Sequence, residues 1–314
     1  MKKLTQEIYE IAVVEPSGVG QEAYAVLRRI SDVANHVAKR RGAVAERLVT
    51  TRWAVGVTRE PSPRPSSRSA STSLPRVVAL PEALSALQLR SGLATEFAHW
   101  LRAHYEGAIT IAACNGTVSV LQAWGLLAAT PSSPLEQHAK PLLEDSGGIV
   151  TAQGRDAWLY VGLRLVHRVY GSEVMNDTAK DFALCHRDAV IAGLHHFAPD
   201  FSHDDFAVLR AQRWLHSNVA IGTGLEVLCR VAGLHPRTLQ RRFVKSTGLS
   251  PIEYAQRVRV AHAQRLILLG VRIRDVHYRV GYADPSAFRR IFCRISGCSP
   301  SNYARVALRD FQLG

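Results

Sequence analysis

The chain has 314 residues, 47% of them hydrophobic, which is enough to build two packed cores and excludes a disordered polymer. Its formal net charge of +13 is unevenly placed: from residue 201 onward 18 Lys and Arg stand against 7 Asp and Glu, whereas residues 1–200 hold 21 against 19. A basic excess so concentrated points to a polyanion partner for the C-terminal third, and the lack of any apolar run near the roughly 20 residues of a spanning helix leaves no membrane partner to expect and a cytoplasmic location as the default.

In chain order, "IYEIAVVEP" from Ile8 predicts a first strand and "QEAYAVLRRISDVANHVAKR" from Gln21 a helix. The segment "TREPSPRPSSRSASTSLP" (58–75) is rich in Pro, Ser and Arg and reads as a mobile surface loop. "RVVALP" (76–81) and "AITIAAC" (108–114) predict two further buried strands. Strands alternating with helices imply a parallel sheet flanked by helices, an α/β domain.

"AITIAACNGTVSVLQAWGLL" raises a chemical question. A buried strand ends at Cys114, Gly116 follows, and an apolar helix begins at once, the strand-turn-helix setting of a nucleophile elbow. A thiol there lies near a helix N-terminus, whose dipole can lower its pKa. The alternative is a cysteine that only packs. The other four cysteines (Cys185, Cys229, Cys293, Cys298) are scattered, with no CxxC pair, so neither a disulfide framework nor a zinc site is expected, and no cofactor.

Residues 8–190 resemble the class I glutamine-amidotransferase-like (PfpI/ThiJ) domain, a flavodoxin-like fold. The resemblance rests on the strand and turn ending in Pro16, acidic Glu22, "CNG" at Cys114 and "WGLL" after the elbow helix. It implies that Cys114 holds the nucleophile position and Glu22 the acidic position able to hydrogen-bond it. Three departures argue against catalysis: "LPEA" (80–83) replaces the glycine pair that helps form an oxyanion hole, Asn115 replaces Thr, and the expected His has no counterpart, the nearby His138 aligning poorly. The expectation is a catalytically degenerate domain (1–197) that senses a small molecule or dimerises, joined by a linker (198–204) to the rest.

The remaining chain contains a repeat. Phe243, Gly248, Ser250, Pro251 and Tyr254 recur 49 residues later as Phe292, Gly297, Ser299, Pro300 and Tyr303. In the first copy Leu225, Leu228 and Val231 or Ala232 have helical spacing, Gly233 permits a turn, and Pro236 opens a second helix that Gly248 ends. Leu239 and Phe243 face inward, which leaves Arg237, Gln240 and Arg241 outward. In the second copy Ile273, Val276 and Val280 precede Gly281, and Asp284-Pro285 opens a helix with Phe288 and Phe292 inward and Ser286, Arg289 and Arg290 outward. Ser250-Pro251-x-Glu253 predicts a capping box for a linking helix that runs to about Leu269.

These are two helix-turn-helix units. Arg donates two hydrogen bonds to guanine and Gln pairs with adenine, so the outward faces carry base-reading chemistry. Arg242, Arg257, Arg259 and Arg294 are assigned to phosphates or solvent. Residues 205–309 resemble the DNA-binding domain of the AraC/XylS regulators through Gly233, Arg237, Leu239, Arg241, Phe243, Gly248, Tyr254, Arg259, Gly281-Tyr282, Ser286, Phe288, Arg290, Phe292, Gly297 and Tyr303. His277 departs from the family's small residue. The resemblance implies an all-α domain that binds double-stranded promoter DNA in two successive major-groove segments, RNA polymerase as a further partner, and an N-terminal domain that binds an effector or forms a homodimer; a branch of the family carries an amidotransferase-like domain in that place. The competing expectation is a cysteine-dependent amidase- or hydratase-like enzyme using Cys114, with the basic domain as a DNA tether.

Overall fold

The computed structural model describes residues 7–15, 21–43, 46–54, 64–65, 75–82, 91–106, 109–114, 116–127, 143–184, 194, 196–201, 203–221 and 224–308. Pro16, Asn115, His138 and most of the segment 58–75 lie outside the described residues. The chain divides into two units, the first made of 1–131 and 142–186, the second of 187–314 with 132–141.

The first unit contains a seven-stranded sheet in the order β3-β2-β1-β4-β5-β7-β6, with β1 (Glu7–Glu15), β2 (Glu46–Ala54), β3 (Arg64–Pro65), β4 (Val77–Leu80), β5 (Thr110–Cys114), β6 (Leu143–Ser146) and β7 (Ile149–Ala152). The five inner strands are parallel, while β3 and β6 pair antiparallel at the two edges. The expected parallel sheet flanked by helices is present, with a short antiparallel strand added at each edge. The reason at β6 is connection length: two residues, Gly147 and Gly148, join β6 to β7, and a parallel pair needs a far longer crossover. At the other edge β3 falls within the segment expected to be loop.

Alternation along the strands distributes the helices. Ala12, Val14, Val78, Leu80, Ile111 and Ala113 pack on one face with Phe97 and Leu101 of α2 (Ser91–Glu106) and Leu121 of α3 (Thr117–Ala123). Thr110 points the other way and accepts a 3.0 Å hydrogen bond from Arg168 of α4 (Ala157–Asp181). Against α4 lies α1 (Gln21–Arg40), so close that a Cβ on Gly162 would stand 2.5 Å from Ile30. The central strands β4 and β5 are buried throughout, which is why they read as unbroken apolar runs. Strand β2 is not legible from periodicity, because among its described side chains only Leu48 and Trp53 are buried, the others, Val49 included, being half-exposed or exposed.

A buried ion cluster crosses this unit. Arg164 donates to Asp145 at 2.7 Å and Arg168 donates to the same carboxylate, all three side chains being nearly inaccessible. Burial opposes the charge on Asp145, but the two guanidinium groups hold its carboxyl below the ordinary range.

The described elements of the second unit are all helices: α5 (Phe206–Ser217), α6 (Leu225–Ala232), α7 (Pro236–Thr247), α8 (Pro251–Leu268), α9 (Ile273–Arg279), α10 (Pro285–Ser296) and α11 (Pro300–Leu308). It has two cores. Leu228, Leu239, Phe243 and Tyr254 anchor the first, with α5 added through Val208, Ala211 and Leu215; Val276, Val280, Phe288 and Phe292 anchor the second. Ser250 caps α8 as expected, its hydroxyl accepting from Glu253 N at 3.2 Å.

Candidate nucleic-acid interface

Helix α7 shows why the repeat is written as it is. Leu239 and Phe243, four residues apart, are fully buried, so Arg237, Gln240 and Arg241 are forced to the solvent side, and all three are exposed. In α10, Phe288 and Phe292 are buried while Ser286, Arg289 and Arg290 are exposed. Each phenylalanine of the repeat pair meets a tyrosine edge-on: Phe243 with Tyr254 at 5.3 Å between centroids, Phe292 with Tyr303 at 5.8 Å. The repeated aromatics therefore lock each outer helix onto the helix that follows it.

The N-termini of the outer helices differ. Asp284 accepts from Ser286 N at 2.9 Å and Ala287 N at 3.0 Å, and these two amides hold its carboxyl below the usual range. His235, at the matching end of α7, makes no side-chain cap. The second turn is also one residue longer, since Gly233 and Gly281 are 48 residues apart whereas Pro236 and Pro285 are 49 apart. His277 is half buried in α9, and its backbone carbonyl accepts from Tyr282 N at 2.9 Å.

The arginines assigned from sequence to phosphates or solvent are engaged within the unit. Arg242 donates to both oxygens of Asp205, from Nε at 2.8 Å and Nη2 at 2.7 Å. The carboxylate of Asp205, which also caps α5, is held below its ordinary pKa by this pair, and α7 is tied to α5. Arg257 pairs with Glu253 one turn earlier, Arg294 donates to Gln256, and Arg259 donates to Ile221 O at 2.8 Å. Only the Glu253–Arg257 spacing was legible in the sequence; the other partners come from distant segments.

In the first unit the thiol at the elbow is shielded from water. Cys114 is fully buried, and desolvation pushes its thiol well above the ordinary value, with the Glu82 carboxylate adding to the rise and a backbone hydrogen bond at Ala152 opposing it. The expected lowering by the helix is overturned because α3 is a seven-residue helix and the thiol is out of water. The Glu82 carboxylate raises the thiol further, while Glu22 sits exposed in the first turn of α1. Glu82 accepts from Gly116 N at 3.3 Å, so an acceptor faces an amide that an oxyanion would need as donor. Among the described residues no cluster of His, Cys, Asp and Glu could hold a metal ion, and no helix is long and apolar enough to cross a membrane.

Residues 228–305 match the family described as Helix-turn-helix domain. The C-terminal unit therefore holds a helix-turn-helix domain. Over 89 residues this chain is 40% identical to the HTH-type transcriptional regulator RipA of Corynebacterium glutamicum, covering 28% of this chain and 27% of that protein. Over 118 residues it is 29% identical to the HTH-type transcriptional activator RhaS of an Enterobacter species, covering 37% of this chain and 40% of RhaS. The chain thus spans less than half the length of these relatives. The crystal structure of Drosophila melanogaster DJ-1beta superposes over 58% of this chain and all of that one, with 16% identity and a TM-score of 0.40.

Proposed function

We propose that the chain is a sequence-specific transcription regulator, in which α7 and α10 read two adjacent major-groove segments of promoter DNA. The observation that carries this reading is the pair of exposed faces, Arg237, Gln240 and Arg241 on one helix and Ser286, Arg289 and Arg290 on the other, each backed by a buried aromatic. The basic excess beyond residue 200 supplies the phosphate attraction. In this reading residues 205–309 bind DNA, 198–204 link, and 1–197 form an amidotransferase-like regulatory domain that binds a small effector or dimerises. Activation through RNA polymerase, in the cytoplasm, completes it. The first unit performs no chemistry at Cys114, a reading supported by the buried thiol and the Glu82 carboxylate at Gly116 N.

Selection of bound sequences from random DNA, with the full chain at physiological salt, tests the proposal. The expected product is a motif of two short blocks about one helical turn apart. Recovery of unenriched DNA would sink it. Cys114→Ala is expected to leave that motif unchanged, and alkylation of Cys114 to be slow near neutral pH; fast alkylation with turnover of an amide would return the first unit to the enzymes.

A further inference from the structure

Helix α8 serves two cores in succession. Tyr254, Ala255 and Val258 belong to the first and Val260, Ala263, Leu266 and Ile267 to the second, so the changeover falls at Arg259. Two small bodies joined by one helix keep their separation but remain free to bend and twist about it, unless a second connection is made.

The segment that leaves α5 makes that connection. Val219 packs against both cores. Ile221 O accepts from Arg259 Nη2 at 2.8 Å, and the same guanidinium carbon lies 5.4 Å from the centroid of the Tyr282 ring. Between them Ala220 O lies against Gly281, the turn of the second helix-turn-helix, where a Cβ would stand 2.6 Å from that oxygen and 3.3 Å from Val219 O. Gly281 has φ +78°, so both its backbone and its surroundings require glycine. The matching turn of the first copy is open by comparison: a Cβ on Gly233 would meet only Arg210 Nη2, at 3.9 Å.

We propose that residues 219–221, with Arg259, Gly281 and Tyr282, form a strap that sets the separation and rotational phase of the two recognition helices, and thereby the number of base pairs this protein accepts between its two half-sites. This rests on the DNA-reading function proposed above. Two linked heads gain from each other only when geometry lets both engage, so a fixed phase selects one spacing and a loose one accepts several. Arg259 and Gly281 are positioning residues in this scheme, acting on the bases only through α7 and α10.

The test uses the full chain and duplexes in which the two selected blocks are moved apart in single base-pair steps. The wild type is expected to prefer its own spacing over one shifted by half a turn, about 5 base pairs, by about a hundredfold. In Arg259→Ala and Gly281→Ala that ratio is expected to fall at least tenfold. A lost phosphate contact would weaken every spacing alike and leave the ratio intact, which separates positioning from simple affinity. Gly270→Ala is the control, because Gly270 shares φ +78° but a Cβ there meets nothing within 4 Å; it is expected to keep the wild-type ratio. Retention of the ratio in a folded Arg259→Ala protein would overturn the strap, and that variant decides the matter if Gly281→Ala does not fold. If the wild type selects no two-block motif, the DNA reading itself has failed. The strap is then tested without DNA, by spin labels carried on genetically encoded residues at Gln240 and Arg289: a narrow distance distribution broadened by Arg259→Ala supports it, and an unchanged distribution overturns it.

Discussion

The two helix-turn-helix copies share a buried phenylalanine-tyrosine pair and differ over most of the outer face. Phe243 and Tyr254 correspond to Phe292 and Tyr303, meeting at nearly the same distance and at edge-on angles of 79° and 76°. On the outer faces Arg237 corresponds to Ser286 and Gln240 to Arg289, while Arg241 and Arg290 alone match. Duplication therefore repeats the means of folding and leaves the reading surface free to diverge. A signature recognised by its repeated residues is mostly a signature of packing, and the base preference of each copy has to be sought in the residues that do not repeat.

The largest expected effect breaks the buried half of this comparison. Phe243→Ala and Phe292→Ala should each destabilise the second unit by about 3–5 kcal/mol, since each ring fills a closed core; urea unfolding measures it, and unequal losses would show that one copy can relax around the gap. Next comes the exposed half. Arg241→Ala and Arg290→Ala should each relax preference at one base position, at a cost of about 1–3 kcal/mol in discrimination, read by repeating the selection with each variant. Equal weakening on every sequence would assign these side chains to phosphate.

A third prediction concerns pH. His262 of α8 is held neutral by burial, with Arg265 adding to the effect, so its pKa drops to about 4 from an ordinary 6.5. The folded value lies below the unfolded one, so stability is complete above about pH 6.5 and is lost progressively as pH falls toward 4. Denaturant unfolding between these limits should show the loss, and His262→Leu should flatten the curve over that range. The smallest effect sharpens the comparison of the two helix N-termini. Asp284→Ala removes a cap with two hydrogen bonds and should lower the melting temperature by about 2–4 °C, while His235→Ala should leave it within about 1 °C. The Asp284 contribution is present above the ordinary Asp pKa and fades as pH falls below it.

Much of the second unit was legible because its determinants are local. Ser250 caps the helix it was expected to cap, and the apolar spacing of Leu239 with Phe243 and of Phe288 with Phe292 decides which arginines face water. In the first unit the central strands β4 and β5 were legible for a similar reason: they are buried on both faces and need continuous apolar residues. The antiparallel edges were not legible, because edge strands are short and partly polar, and the two-residue turn at Gly147-Gly148 does not declare itself without its pairing partner.

The repeat, the apolar positions of the two copies and the outward residues of α7 and α10 follow from local pattern, since helical periodicity and caps act over a few residues. The surroundings of the isolated charges and of the Cys114 thiol depend instead on how distant segments pack. Arg242 is given to Asp205, Arg259 to Ile221 and Tyr282, and Cys114 to a dry interior beside Glu82. The physical reason is that the energy of a charge or a thiol depends on its solvent and its partners, and these are brought up by segments far away in the chain.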